Sequence, residues 1–477
     1  MDTEEIVKKL SEFGLVSGEL EIPAPQRLEI LNQASQYTNQ FINRIDEVRG
    51  FQEKSVSTLT INNEKHTFSD LLDIYQHEVV ENGINAASAK HLGYIPGGGV
   101  YAAAIADYIA AVTNPYSGVF YASPGAAAIE NEVINWIKSV FSFPDDAVGC
   151  LNSGGSISTL IAFTAARDKY KIKNDLVPQS VIYMSEQVHH STQKALRILG
   201  LEDAIIRYIP IDEEHRIIPH ELETLIKKDK SDGLNPYMIV ATAGTTDTGT
   251  MDPLNQIADI SERNKLWLHV DAAYGGFFIL TGKKQLFNGI ERADSLIVDP
   301  HKGLFLPYGV GAVIIKDREA ALHSHYYTAN YMQDGQNEEL IKSPANLSPE
   351  LTRHFRGLRV WLPLQLHGVK PFIACLEEKL LLVHYFRNKL KELNFCLGPE
   401  PDLSVSYFWY PFESDADEKN KQLMAEIHKD GSVFLSSSII DHRFVIRIAI
   451  LAFRTKKKTV DEAIGMIKRS LTTVLSQ

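Results

Sequence analysis

Between positions 181 and 315 the chain repeats one texture, a short apolar run rich in β-branched residues followed by a stretch with helical spacing. The runs are Val181-Ile-Tyr-Met184, Ile205 to Ile209, Met238-Ile-Val-Ala-Thr242, Leu266-Trp-Leu-His-Val270, Leu296-Ile-Val298 and Ala312-Val-Ile-Ile315. Most are apolar at consecutive positions rather than at alternate ones, so both faces of such a strand must be covered. Strands covered on both faces and separated by helices imply an α/β fold with a largely parallel sheet. In such sheets ligands gather beyond the carboxyl ends of the strands, so chemistry is expected just after each run.

The flanks have other textures. Residues 1 to 85 read as helical: Pro25 suits a first turn, and Leu28, Leu31, Ala34, Thr38, Phe41 and Ile45 follow at helical spacing. Thr67-Phe-Ser-Asp70 is a capping-box pattern opening a second helix, expected to bury Leu71, Leu72, Tyr75 and Val79. Beyond the sheet, Phe372 to Leu393 reads as one long helix, Val405 to Tyr410 and Phe444 to Ile450 as strands, and 459 to 475 as a terminal helix. Three domains are expected: a helical segment 1–85, a large α/β domain 86–365 and a small α+β domain 366–477.

Composition excludes several classes of partner. Lys plus Arg is 48 against 60 Asp plus Glu, a net charge of −12, which argues against a general nucleic-acid binder. Cys150, Cys375 and Cys396 are sparse and form no CxxC, the pattern of free thiols in a reducing cytoplasm. The opening MDTEEIVKKL carries acids where a secretory signal needs bases. The most apolar stretch, Val100 to Val112, is too short to span a bilayer and contains Asp107. A soluble, cytoplasmic protein with no membrane partner is expected.

Four segments carry chemistry. Asn152-Ser-Gly-Gly-Ser156 precedes a helical run, and a helix start offers free N–H groups to an anion, though a tight turn with a serine cap is the plain alternative. Ser185-Glu-Gln-Val-His189-His190 follows a strand; adjacent histidines diverge, so they are a poor metal pair, and a buried histidine in a hydrogen bond is the ordinary outcome. In His269-Val-Asp271-Ala-Ala-Tyr-Gly-Gly276 an acid ends a buried strand, a costly position unless a bound cation, a metal or an internal Arg or Lys faces it, though a simple helix cap is the plain alternative. In Asp299-Pro-His301-Lys302-Gly303 a lysine stands just past another strand, where an amine of lowered pKa can form a Schiff base, though most loop lysines are merely solvated. Gly244-Thr-Thr246 adds hydroxyls at the same edge. His220-Glu-Leu-Glu-Thr224 and His77-Glu-Val-Val-Glu81 lack the second histidine of a zinc site, so no metal is expected. Together, an anion-binding helix start, a ring-stacking histidine, a strand-end acid and a strand-end lysine are the four parts that pyridoxal 5′-phosphate requires.

In order and spacing these segments resemble the group II pyridoxal-phosphate-dependent amino acid decarboxylases, a family that includes aromatic-L-amino-acid and glutamate decarboxylases. The likeness runs from about Pro96 to the C-terminus and includes Arg353-His-Phe-Arg-Gly-Leu-Arg-Val-Trp361 and Ala452-Phe-Arg-Thr455. It implies the fold of the PLP-dependent transferases (fold type I) and a homodimer whose N-terminal helices interlock and whose sites are shared. It implies that Lys302 tethers the cofactor, Asp271 pairs with the ring nitrogen, and His189 stacks on the ring and approaches the substrate carboxylate. Gly155, Ser156, Thr246, Ala273, Asp299 and His301 would complete the cofactor contacts. Tyr331, in Ala329-Asn-Tyr-Met-Gln-Asp334, would protonate the substrate Cα from a loop. Tyr94 and Gly97, in Tyr94-Ile-Pro-Gly-Gly-Gly99, would face the substrate. Asp299 departs from the family, where asparagine is common, and places a carboxylate beside a phosphate. The implied reaction is decarboxylation of an L-amino acid to the amine and CO2, leaning aromatic; no clamp for a distal carboxylate supports glutamate. Another lyase or an aldehyde-forming synthase on this scaffold, or a catalytically silent ligand-binding member, are the alternatives.

Overall fold

A computed structural model describes residues 1–57, 59–61, 63–327 and 340–476. The chain divides into two units, Met1–Asn85 and Ala86–Gln477. In the first, α1 (Thr3–Ser17) starts where Asp2 accepts the Glu5 N–H at 2.8 Å. Helix α2 (Ala24–Arg44) carries Pro25 in its first turn. Helix α3 (Phe68–Tyr75) opens on the capping box expected: Thr67 Oγ1 accepts the Asp70 N–H and Asp70 Oδ2 accepts the Thr67 N–H, both at 3.2 Å. Burial does not follow the expectation. No residue of α1, α2 or α3 is buried, and Leu71, Tyr75 and Val79 are 47%, 49% and 50% exposed. Helical spacing fixes which side of each helix is apolar, but within this unit the three helices enclose no common core.

The second unit is built on a seven-stranded sheet. Its strands are β1 (Val148–Asn152), β2 (Ser180–Met184), β3 (Ile205–Tyr208), β4 (Asn235–Thr242), β5 (Trp267–Asp271), β6 (Ser295–Val298) and β7 (Gly311–Ile315), in the order β1-β7-β6-β5-β4-β2-β3. The pairs β2/β3, β2/β4, β4/β5 and β5/β6 are parallel, while β7 runs antiparallel to both neighbours, β6 and β1. The consecutive apolar residues now have a reason. Ile239, Ala241, Leu268, Val270, Leu296 and Val298 feed one core, and Met238, Val240, Trp267 and Ile297 feed another across the sheet. Helices α5 (Pro124–Val140) and α6 (Gly155–Lys169) flank the sheet, and α4 (Tyr101–Thr113) packs against the helix Arg356–His367.

After the long helix Lys370–Glu392 comes a four-stranded antiparallel sheet of β8 (Cys396–Leu397), β9 (Val405–Trp409), β10 (Ser436–Ile440) and β11 (Arg443–Ala449), in the order β8-β9-β11-β10. Helices Ala416–Asp430 and Lys457–Leu475 pack with it around Phe386, Phe408, Ile427, Ile446 and Ile467. The α/β unit thus carries a small C-terminal α+β part, and a helical N-terminus precedes it. No helix among the described residues is long and apolar enough to cross a membrane.

Candidate active site

The carboxyl ends of the central strands converge with the start of α6 around a cleft of about 370 Å³. Register sets this edge: Thr242 at the end of β4 stands beside Asp271 at the end of β5, and Asp271 beside Ile297 of β6. Gly155, Ser156, His189, Thr246, Asp271, Ala273, Asp299, His301 and Lys302 all line the cleft.

The loop into α6 is shaped by Asn152, whose Oδ1 accepts the Gly154 N–H and the Ser158 hydroxyl, each at 3.0 Å. Gly154 takes φ +146°, a conformation glycine alone tolerates well. The first-turn amides of Gly155 and Ser156 then open on the cleft at the positive end of the helix. Gly155 is needed for close approach, since a Cβ there would lie 3.1 Å from Asp299 Oδ2 and 3.3 Å from Ala273 Cβ.

Asp271 is 8% exposed, and its Oδ1 accepts the Ala273 N–H at 3.0 Å. Burial pushes its carboxyl pKa up, while that N–H and the charge of Lys302 pull it back. His189 Nδ1 lies 2.8 Å from the Ser191 hydroxyl and accepts the Ser191 N–H at 3.3 Å, so the ring proton belongs on Nε2. Burial, with His190 and Lys302 nearby, lowers its pKa to about 4, so the ring is a flat neutral donor at neutral pH. Lys302 lies on the short helical turn Pro300–Gly303 after β6, with Nζ 3.1 Å from Asp299 Oδ2. His301 holds the Val310 carbonyl at 2.6 Å through Nδ1. The loop bearing Thr246 is braced from the small sheet: buried Arg447 on β11 donates to the carbonyls of Thr246, Asp247 and Gly93, the last two at 3.1 and 3.0 Å.

Two expected residues are not brought to the cleft lining. The Tyr94 ring is 58% exposed and packs edge-on against Phe434 at 5.5 Å. Gly97 lies against the back of the lysine turn, where a Cβ would fall 2.1 Å from the His301 carbonyl oxygen. Tyr331 lies outside the described residues. The cleft also has walls to which the motifs assigned no role, among them Ser153, Gly154, Ser191, Thr242, Gly244 and Tyr274. Thr242 was within reach of the strand-end rule, as the last residue of its run. Its Oγ1 is buried with no hydrogen-bond partner among the described residues.

The donor set fits pyridoxal phosphate: free amides for a phosphate, a neutral flat ring, a buried acid for a basic nitrogen and a primary amine for a carbonyl. Comparison with known proteins agrees. The pyridoxal-dependent decarboxylase conserved domain matches residues 52–411. An aromatic-L-amino-acid decarboxylase of Bacillus atrophaeus is 34% identical over 410 residues, covering 84% of each chain. Tyrosine decarboxylase 2 of Arabidopsis thaliana is 28% identical over 84% of this chain and 77% of its own. A crystal structure of Oryza sativa TDC with PLP and tryptamine shares the fold with a TM-score of 0.87, at 22% identity over 95% of this chain and 99% of that one. The chain therefore belongs to the pyridoxal-dependent decarboxylases, carboxy-lyases that work with pyridoxal phosphate.

Proposed function

We propose that this enzyme removes the α-carboxylate of an aromatic L-amino acid and releases the amine. The observation that carries the reading is that Asp271, His189 and Lys302 line one cleft at the start of α6. The aromatic preference draws on the names of the similar proteins, an aromatic-L-amino-acid and a tyrosine decarboxylase. Bound pyridoxal phosphate supplies the electron sink for the pair left on Cα when CO2 departs. The residues supply the rest. Gly155 and Ser156 offer amides to the phosphate, and Lys302 offers the tethering amine. Asp271 keeps a proton at the ring nitrogen, where a buried anion and a cation neutralise each other. His189, neutral and protonated on Nε2, covers the ring without adding a second positive charge and directs an N–H at the substrate carboxylate. Thr246, Ala273, Asp299 and His301 complete the contacts, and Tyr331 returns a proton to Cα.

The test is a panel of L-amino acids incubated with the holoenzyme, with CO2 and amine both measured. Amine equal to CO2, highest for aromatic substrates, is expected. Aldehyde with peroxide in place of amine would move the assignment to an aldehyde-forming synthase, and no CO2 from any substrate would overturn it. Tyr331→Phe is expected to keep the cofactor and to divert product from amine to aldehyde.

The proposal includes a homodimer completed through residues 1–85. Support comes from apolar side chains left uncovered in one chain: Leu10, Phe13, Val16 and Leu20 are 64%, 69%, 70% and 88% exposed. Sedimentation of the enzyme should give twice the chain mass, and Leu10→Asp with Phe13→Asp should shift it toward one chain. A wild-type monomer would refute this part.

A further inference from the structure

The carboxyl group of Asp299 stands in an awkward place for a phosphate site. It follows β6 and is 1% exposed. Its Oδ2 lies 3.1 Å from Lys302 Nζ and 3.6 Å from His301 Nε2, and it abuts the first turn of α6 at Gly155. Its Oδ1 is buried with no hydrogen-bond partner among the described residues. His301 sharpens the problem. Its Nδ1 lies 2.6 Å from the Val310 carbonyl oxygen, which can only accept, so Nδ1 carries the hydrogen. In the neutral ring Nε2 is then a lone pair 3.6 Å from Oδ2, an oxygen whose only cation is Lys302, while Oδ1 of the same carboxylate has no partner among the described residues. Two acceptors facing each other out of water repel, and one proton on either removes the repulsion.

The surrounding charges do not settle the matter. Lys302 offsets Asp299 while its ammonium is there, and that compensation weakens once the amine is committed to the cofactor ring. Asp271, close enough for the Asp299 charge to oppose its ionisation, adds a second negative group. His189 is held neutral by burial. Arg359, on the far side of His301, is paired with Asp107 at 2.7 Å. A phosphate at Gly155 and Ser156 would add up to two more negative charges.

We infer that Asp299 and His301 form a proton-binding site, and that docking of the cofactor phosphate at α6 draws one proton from solvent onto the pair. The balance is simple: one O–H bond of a solvent hydronium breaks, leaving water, and one O–H or N–H bond forms on the pair, separately from the bond that Lys302 makes to the cofactor. Burial holds the His301 imidazole below its ordinary pKa. The inference rests on the phosphate placement proposed above. Its consequence is that the cofactor is held tightly when the pair carries a proton and less tightly as pH rises.

The experiment is equilibrium binding of pyridoxal 5′-phosphate to the cofactor-free protein from about pH 7 to about pH 9, a window above the phosphate's own ionisation near 6. Wild type should lose affinity with rising pH, by up to about tenfold per unit. Asp299→Asn should flatten that slope, bind about tenfold or more tightly than wild type near the top of the window, and converge with it near the bottom. Pyridoxal, which lacks the phosphate, is the control: with it the ratio of variant to wild-type affinity should not change with pH. The inference is overturned if Asp299→Asn binds the phosphate form more weakly at every pH, or gains as much with pyridoxal. Should the variant not fold, wild type alone decides, because its slope for the phosphate form must exceed its slope for pyridoxal. Failure of wild type to bind the phosphate form at any pH would overturn the site assignment itself.

Discussion

Strand β1 is an edge of the main sheet and runs directly into the Asn152–Ser156 loop, and its free edge is closed by an ion pair rather than by a strand. Glu130 on α5 accepts the Leu151 N–H at 3.0 Å, and Arg353 donates to the Leu151 carbonyl. The two side chains meet at 2.9 Å with no exposed surface on either. At that separation their attraction is about 6 kcal/mol for an effective dielectric near 20, set against the cost of taking both charges out of water. Burial pushes the Glu130 carboxyl up, and the Arg353 charge opposes that rise. Arg353→Met would leave a buried carboxylate with one N–H for company, and a loss of about 3–5 kcal/mol is expected. Adding Glu130→Gln should restore all but about 1–2 kcal/mol, the part owed to the unmade bond to the Leu151 carbonyl. Nε and Nη1 of Arg353 have no hydrogen-bond partner among the described residues, so the pair leaves buried donors unmet and its joint removal is mild. Urea unfolding of the cofactor-free single and double variants measures both steps, and cofactor affinity reports the displacement passed to the loop. A single variant costing under about 1 kcal/mol, or a double variant no better than the single, would refute the reasoning.

Other outcomes follow from the same geometry. Lys302→Ala should abolish turnover and the visible absorbance of the tethered cofactor; full activity in that variant would end the scheme. Asp271→Ala should retain cofactor yet lower kcat by about 10²–10³-fold, read by steady-state assay, because a preorganised charge is removed from the ring nitrogen. Gly155→Ala should weaken cofactor binding, measured by equilibrium titration, since its Cβ would press on Asp299 and Ala273. His189, with its pKa lowered from 6.5 to about 4, binds a proton more readily unfolded than folded across that interval. Its burial therefore costs nothing above pH 6.5 and removes stability as pH falls toward 4, by up to about 3 kcal/mol. Denaturation midpoints for wild type and His189→Gln should diverge below pH 6.5, and parallel curves would contradict the assignment.

The sheet was legible because burial on two faces leaves a mark that sequence preserves: every run named in advance became a strand. Direction leaves no such mark. Ala312-Val-Ile-Ile315 has the texture of its parallel neighbours, yet β7 is antiparallel, because a strand covered on both sides is apolar whichever way it runs. Strand β1 and the polar strand β10, Ser436-Ser-Ser-Ile-Ile440, escaped the pattern, one interrupted by Gly149 and Cys150, the other exposed along its middle. For α3 the capping box was readable as local chemistry, while the burial of Leu71, Tyr75 and Val79 was not, because a helix spacing names a face and not its cover.

The site divides in the same way. Asp271, Lys302 and His189 follow strands and were found by position; Glu130 and Arg353 lie 223 residues apart, and no spacing rule joins them. What links the readable and the unreadable parts is register. Trp267 packs in the core on the α6 side of the sheet, Leu268 and Val270 in the other, and His269 meets Phe163 of α6 edge-on at 5.0 Å. Asp271 continues the alternation of 267 and 269 and so falls on the side where α6 begins. A slip of one residue in β5 would carry its carboxylate to the opposite core and bury it there unpaired. The alternation of Trp267, Leu268 and Val270 between two cores therefore does more than stabilise the sheet: it determines that the acid at 271 opens on the same cleft as the helix start at 155 and the amine at 302.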